Sequence, residues 1–150
     1  MRNVSFNRGA RGEACYALWS SGFLTKRKNT DMVEDWHAMI NNMNGAVSGL
    51  RQAAPEIMKT FGEMARAAHA GNALDDKTKE LVALAISVST RCAPCIAYHT
   101  EGALRHGASR DAIAEVLAMA IYMGAGPSVM YAAQALEAVD QLSAKTGKPA

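Results

Sequence analysis

The chain has 150 residues, enough for one domain with a hydrophobic core of its own. Apolar residues make up 49% of it but aromatic residues only 6%, which favours closely packed helices over a β-sandwich. A formal net charge of +2 with no evident basic face gives no indication of nucleic-acid binding, so we expect no nucleic-acid partner.

The first thirty residues carry six Lys or Arg side chains but only one acidic side chain, Glu13. They show no sustained hydrophobic period, so we predict a poorly ordered basic extension over residues 1–31 and a helical domain over residues 32–150. The apolar run at residues 14–24 lacks a following small-residue cleavage site. It is also shorter than the about 18–20 residues of a membrane span, so we expect a cytoplasmic protein without membrane attachment.

The rest of the chain predicts helices and no strand. Apolar residues recur every three or four positions, and prolines, glycines and capping side chains mark where successive helices begin and end. Pro55 and Pro94 stand where a first helical turn accepts proline, and Gly107 stands just past a helix end. The predicted fold class is all-α, a compact bundle of about six helices. They span residues 32–50, 55–70, 76–90, 95–106, 109–124 and 128–142, each to within a residue or two.

The third predicted helix contains a run, residues 81–88, that is apolar on nearly all sides. Such a run is typical of a buried strand or a buried helix, and its capped length and alanines favour a buried helix. Only a few residues around Arg91 join it to the fourth helix, so we expect these two helices to pack antiparallel.

The segment Cys92-Ala-Pro-Cys95-Ile-Ala-Tyr-His99 groups side chains that can carry redox chemistry. Three cysteines do not make a secreted disulfide framework, and one close pair suits a reducing compartment in which the pair cycles. His99 follows Cys95 by four residues and therefore shares its helical face. The positive end of the helix dipole at Cys92 and Cys95 favours a thiolate, which attacks peroxides or disulfides.

Glu80 is expected to meet His99 across the predicted helix pair. It lies about eleven residues before the turn and His99 about eight after it, so a rise of about 1.5 Å per residue brings them to within one turn of each other. The carboxylate would orient the imidazole and make it a better proton acceptor.

The spacing alone leaves open which cysteine attacks first. In thioredoxin-like proteins the first cysteine of the pair is the attacker, which favours Cys92. The position of His99 favours Cys95, and we predict Cys95 as the peroxide-attacking cysteine and Cys92 as the resolving one. Two other interpretations remain: a pair of buried core thiols, or a zinc site with Cys92, Cys95, His99 and Glu80 as ligands.

The pattern Glu80-x11-Cys92-x2-Cys95-x3-His99 resembles the AhpD-like alkylhydroperoxidases of the carboxymuconolactone decarboxylase family, as do residues 77–85 and 122–131. The resemblance implies a thiol-dependent alkyl hydroperoxide reductase with catalytic residues Cys95, Cys92, His99 and Glu80 and with no cofactor or metal. It also implies a small-molecule hydroperoxide substrate, a dithiol reductant protein (thioredoxin-like, a lipoyl domain or a peroxiredoxin) and a homo-oligomer, trimeric or hexameric.

One departure from the family pattern bears on specificity. The better-known peroxidase members carry a histidine before the second cysteine, where this chain has Pro94, so its substrate and reductant preferences can differ. Decarboxylase members generally lack the cysteine pair. A lactone-processing decarboxylase is therefore the second hypothesis, and a non-enzymatic redox or zinc-binding protein the third.

Overall fold

The computed structural model describes residues 35–146, and the prediction of a basic extension over residues 1–31 lies outside this range. The described residues form helices without a strand, so the prediction of an all-α fold is confirmed. Short connections join consecutive helices. The five helices are α1 (Trp36–Ala53), α2 (Pro55–His69), α3 (Asp76–Ser89), α4 (Ala93–Arg105) and α5 (Arg110–Thr146).

The core lies where α3, α4 and α5 pack together, with the start of α1 against them. The prediction that residues 81–88 are buried on all sides is wrong for one face of α3. Val82 is 48% exposed and Ile86 is 56% exposed, because the neighbouring helices cover only the opposite face. The largest fully buried side chains are those of Trp36, Leu84, Val88, Ile96, Thr100, Ile113 and Val139.

Helix α5 folds back on itself in its middle. Ala125 has φ 51° and ψ −144°, which is not helical, and Pro127 follows it two residues later. Arg110 and Asp140 are thirty residues apart in the chain, yet Nε of Arg110 lies 2.8 Å from Oδ1 of Asp140. Residues 110–124 and 126–146 are therefore the predicted fifth and sixth helices, joined by a sharp reversal rather than by a loop.

The segment Arg110–Ala144 is long and apolar enough, by length and composition, to cross a membrane, with a mean hydropathy of 1.5 and 22% of the window buried. The sequence predicts two shorter helices over this segment, residues 109–124 and 128–142. A core helix of a soluble protein passes the same test, so a single such segment is weak evidence for a membrane span. The contact between Arg110 and Asp140 also shows that this segment is not a straight rod.

Helix α2 is held to the rest of the chain mainly at its ends. Pro55 begins it directly after α1, and none of its residues is buried. At its other end, Nζ of Lys79 donates hydrogen bonds to the carbonyl oxygens of His69 and Gly71, at 2.7 and 2.6 Å. These carbonyls lie at and just past a helix end, where acceptors lack partners within the helix, so the ammonium group of α3 satisfies them.

We expect the Arg110–Asp140 pair to stabilise the reversal of α5 in a pH-dependent way. The hydrogen bond from Arg110 lowers the pKa of Asp140 below its ordinary 3.8. A carboxyl whose pKa is lower in the folded chain contributes stability above its unfolded pKa, and this contribution is lost as the pH falls through the folded value.

Asp140→Asn should therefore be slightly less stable than the parent protein at neutral pH, within the small range of an exposed ion pair. The difference should shrink at an acidic pH below 3.8, because the Asp140 carboxyl of the parent becomes protonated as the pH falls through its lowered folded pKa. Urea unfolding of both proteins at the two pH values measures it. A difference of equal size at both pH values would contradict this role for the ion pair.

Candidate active site

The turn between α3 and α4 places the two cysteines. The backbone N–H of Arg91 donates to the carbonyl of Val88 at 3.2 Å, and that of Cys92 donates to the carbonyl of Ser87 at 3.0 Å. Arg91 has φ 60°, the left-handed conformation that ends many helices. This compact ending of α3 makes Cys92 the N-cap of α4 only three residues after α3 ends.

Cys92 and Cys95 form a disulfide across the first turn of α4, with their Cα atoms 5.2 Å apart. The backbone N–H of Cys95 also donates to Sγ of Cys92 at 3.3 Å. A sulfur that accepts a backbone N–H at the positive end of a helix is stabilised as a thiolate when the disulfide is reduced. Both residues are half-buried, so the pair is accessible to small molecules at the surface.

The predicted contact between Glu80 and His99 is present. Oε2 of Glu80 on α3 lies 2.8 Å from Nδ1 of His99 on α4. The Glu80 side chain is 15% exposed and that of His99 is 33% exposed. Because a carboxylate only accepts hydrogen bonds, Nδ1 donates in this contact, and in the neutral form of the ring Nε2 is then the nitrogen with the lone pair. The ring can therefore act as a base through Nε2.

The helix pair thus brings together all four residues that the sequence analysis selected. Cys92 and Cys95 begin α4, His99 stands one turn after Cys95, and Glu80 reaches His99 from α3. The neighbouring Tyr98 points elsewhere, because its hydroxyl group donates to Oδ1 of Asn44 on α1 at 2.8 Å. That contact anchors α4 to α1.

Gly102 was not among the candidate residues predicted from the sequence; it is buried in α4 and lies directly against the carboxylate of Glu80. The available signal was a glycine inside a predicted helix, three residues after His99, where no turn or helix end calls for one.

Within residues 35–146, no group of three or more His, Cys, Asp or Glu side chains is arranged to hold a metal ion. The disulfide also occupies both sulfurs of the hypothetical zinc site. The structure therefore gives no support to zinc at Cys92, Cys95, His99 and Glu80.

Comparisons with known proteins agree with this architecture. The family model of the carboxymuconolactone decarboxylase family matches residues 55–138, which include all of α3 and α4. A crystal structure of a protein of that family from Legionella pneumophila, in its apo form, has a TM-score of 0.70 to this chain and is 41% identical to it. The match covers 72% of this chain and 96% of the Legionella chain.

Two bacterial relatives are similar over nearly their full length. An uncharacterized protein of Cupriavidus necator is 41% identical over 113 residues, which are 75% of this chain and 100% of that protein. An uncharacterized protein of Haemophilus influenzae is 39% identical over 107 residues, covering 71% of this chain and 95% of its own.

The chain belongs to the carboxymuconolactone decarboxylase family, as an AhpD-like member. This membership supports a function of the alkylhydroperoxidase or the lactone-decarboxylase kind. The family is generally enzymatic, and the choice between its activities depends on the residues of the site.

Proposed function

We propose that this protein is a thiol-dependent alkyl hydroperoxide reductase. The observation that carries the proposal is the disulfide of Cys92 and Cys95 at a helix N-terminus, one turn from an imidazole that a carboxylate holds in one tautomer. The disulfide is the oxidised product of such a reaction, and the imidazole is the base that its first step requires.

In the oxidative half-reaction, the thiolate of Cys95 attacks one oxygen of the hydroperoxide. The new S–O bond forms as the O–O bond breaks, so the cysteine is oxidised to a sulfenic acid and the peroxide is reduced to an alcohol. The thiolate of Cys92 then attacks the sulfenic sulfur, the S–S bond forms as the S–O bond breaks, and the displaced hydroxide takes a proton from solvent and leaves as water. Each turnover therefore consumes one hydroperoxide and two thiols.

His99 and Glu80 supply proton transfer in this scheme. Nε2 of His99 accepts the thiol proton of Cys95, and the resulting imidazolium returns a proton to the departing alkoxide. Glu80 stabilises that imidazolium through Nδ1. The half-buried position of the pair strengthens this interaction relative to one in bulk water.

The two sulfurs are activated by different groups. His99 shares a helical face with Cys95, whereas the N–H of Cys95 and the start of α4 stabilise negative charge on Cys92. A resolving cysteine that is already a thiolate can attack the sulfenic acid without first being deprotonated by a base. This division supports Cys95 as the attacking residue and Cys92 as the resolving one.

An external dithiol protein completes the cycle by thiol–disulfide exchange, and a thioredoxin-like protein, a lipoyl domain or a peroxiredoxin has the required chemistry. Both half-reactions proceed through nucleophilic attack by thiolates and through proton transfer, so the proposed mechanism needs no bound cofactor. Because the pair must be re-reduced after each turnover, we place the protein in the reducing environment of the cytoplasm.

One equivalent of cumene hydroperoxide added to the reduced protein should remove two free thiols, measured with a thiol reagent. Cys95→Ser should abolish peroxide consumption, whereas Cys92→Ser should stop at a sulfenic acid that a dimedone-type reagent traps. A sulfenic acid trapped in Cys95→Ser, with no peroxide consumption by Cys92→Ser, would show that the two roles are reversed.

The same experiment separates the alternatives. Unchanged thiols together with turnover of a carboxymuconolactone would favour a decarboxylase, the second function that family membership supports. Stoichiometric zinc in a metal analysis of the same sample would favour a structural site.

Glu80→Ala or His99→Ala should slow peroxide-dependent oxidation by a factor of roughly 10²–10⁴, the usual contribution of general acid–base catalysis. Stopped-flow measurement of the oxidation rate at neutral pH tests this. Because both side chains serve one proton transfer, the double variant should be no slower than the slower single variant. Additive losses would contradict a shared relay.

We also infer that the protein assembles as a homo-oligomer, a trimer or a hexamer. Helix α2 exposes an apolar face while its charged side chains occupy the opposite face. A monomer rarely leaves so many large apolar side chains in water. In the described part of the chain, those at least 48% exposed are Leu50, Ile57, Phe61, Met64, Leu74, Val82, Ile86, Met119, Tyr122, Met123 and Met130.

Light scattering should give a molar mass that is three or six times the 16.0 kDa of one chain. Phe61→Glu should lower it, because a charge would be buried unpaired in the interface. Lys59→Glu, on the charged face of the same helix, is the matched control and should keep the parent mass. A parent protein that runs as a monomer would refute the assembly.

A further inference from the structure

We propose that Gly102 is a positioning residue, whose missing side chain leaves the space in which the carboxylate of Glu80 meets His99. A Cβ atom at position 102 would lie 2.6 Å from Oε2 and 2.7 Å from Cδ of Glu80. Oε2 is the same atom that lies 2.8 Å from Nδ1 of His99. The carboxylate therefore rests directly on the backbone of α4, beside the imidazole it holds.

The backbone of Gly102 does not itself require glycine. Gly107 is the glycine with a positive φ among the described residues, and Gly102 lies inside α4 with ordinary helical neighbours. A glycine in a helix interior is less favourable than alanine. At this buried position the carboxylate of Glu80 occupies the space that a side chain at position 102 would need. This explains why a glycine stands inside the helix despite its lower helix propensity.

Three other helical glycines in the described part of the chain have no such neighbour. A Cβ atom at Gly45, Gly49 or Gly62 would meet nothing within 4 Å. Alanine at those positions would add helix propensity without displacing any group. They are matched controls for the general effect of replacing a helical glycine.

An alanine at position 102 would displace Glu80 rather than the helix. Ordinary contact with a carboxylate oxygen begins near 3.4 Å, so Oε2 would have to retreat by about 0.8 Å. The end of a glutamate side chain moves more easily than the backbone of two packed helices. The bond to Nδ1 would lengthen or lose its alignment, because hydrogen bonds weaken steeply outside a narrow range.

The consequence for catalysis rests on the proposed function. Without its carboxylate, His99 loses its fixed tautomer, and Nε2 is no longer the nitrogen that is always free to accept a proton. We therefore expect Gly102→Ala to slow peroxide-dependent oxidation by about 10²-fold, the lower end of a general acid–base contribution. In a Glu80→Ala background the same substitution should have no further effect, since it acts through Glu80.

A readout independent of peroxidase activity is the ¹⁵N spectrum of His99 in the oxidised protein. At about pH 8, where an ordinary imidazole is neutral, the parent protein should show one tautomer with the proton on Nδ1. Gly102→Ala should show a mixture of tautomers, whereas Gly49→Ala should give the parent spectrum. His99→Ala assigns the signal.

The outcomes distinguish the two proposals. An unchanged His99 spectrum in folded Gly102→Ala would overturn the positioning role. A changed spectrum with an unchanged oxidation rate would support that role and contradict the relay in the proposed function. If Gly102→Ala does not fold, the double variant with Glu80→Ala removes the clash, and recovery of its helical circular dichroism would support the contact. Failure of the double variant as well would overturn it.

Discussion

Helices α3 and α4 lie close enough for a carboxylate of one to bond the imidazole of the other, and the candidate site depends on this packing. The compact turn through Arg91 ends α3 and begins α4 within three residues, with Cys92 as the N-cap. The packing of α3 against α4 brings Glu80 to His99, and the first turn of α4 brings Cys92 to Cys95. Loosening the helix pair would separate the base from its carboxylate.

The same helix pair has one buried and one exposed side. Leu84 and Val88 of α3 fill the core against α4 and α5, while Val82 and Ile86 face outward. Within the described part of the chain, none of the residues of helix α2 is buried. These exposed apolar faces are the surfaces on which the proposed homo-oligomer would assemble.

Helix starts and the spacing of residues within one helix could be predicted from the sequence, because they depend on residues that are near one another in the chain. Pro55 marked a helix start correctly, and the four-residue spacing of Cys95 and His99 placed them on one helical face. The bundle, the helix pair and the approach of Glu80 to His99 followed from helix geometry and a short connection. The prediction of a buried helix over residues 81–88 was wrong for one face, because the apolar character of a segment does not show which of its faces neighbouring helices cover.

The sequence by itself placed two cysteines and a histidine along one predicted helix, with Cys95 and His99 on one face, because the repeat of a helix fixes the spacing of side chains along it. Only the tertiary structure decided what surrounds them. The exposed face of α3 and the carboxylate resting on Gly102 each depend on how close two helices approach. That distance is set by contacts between residues far apart in the chain, which no local pattern encodes.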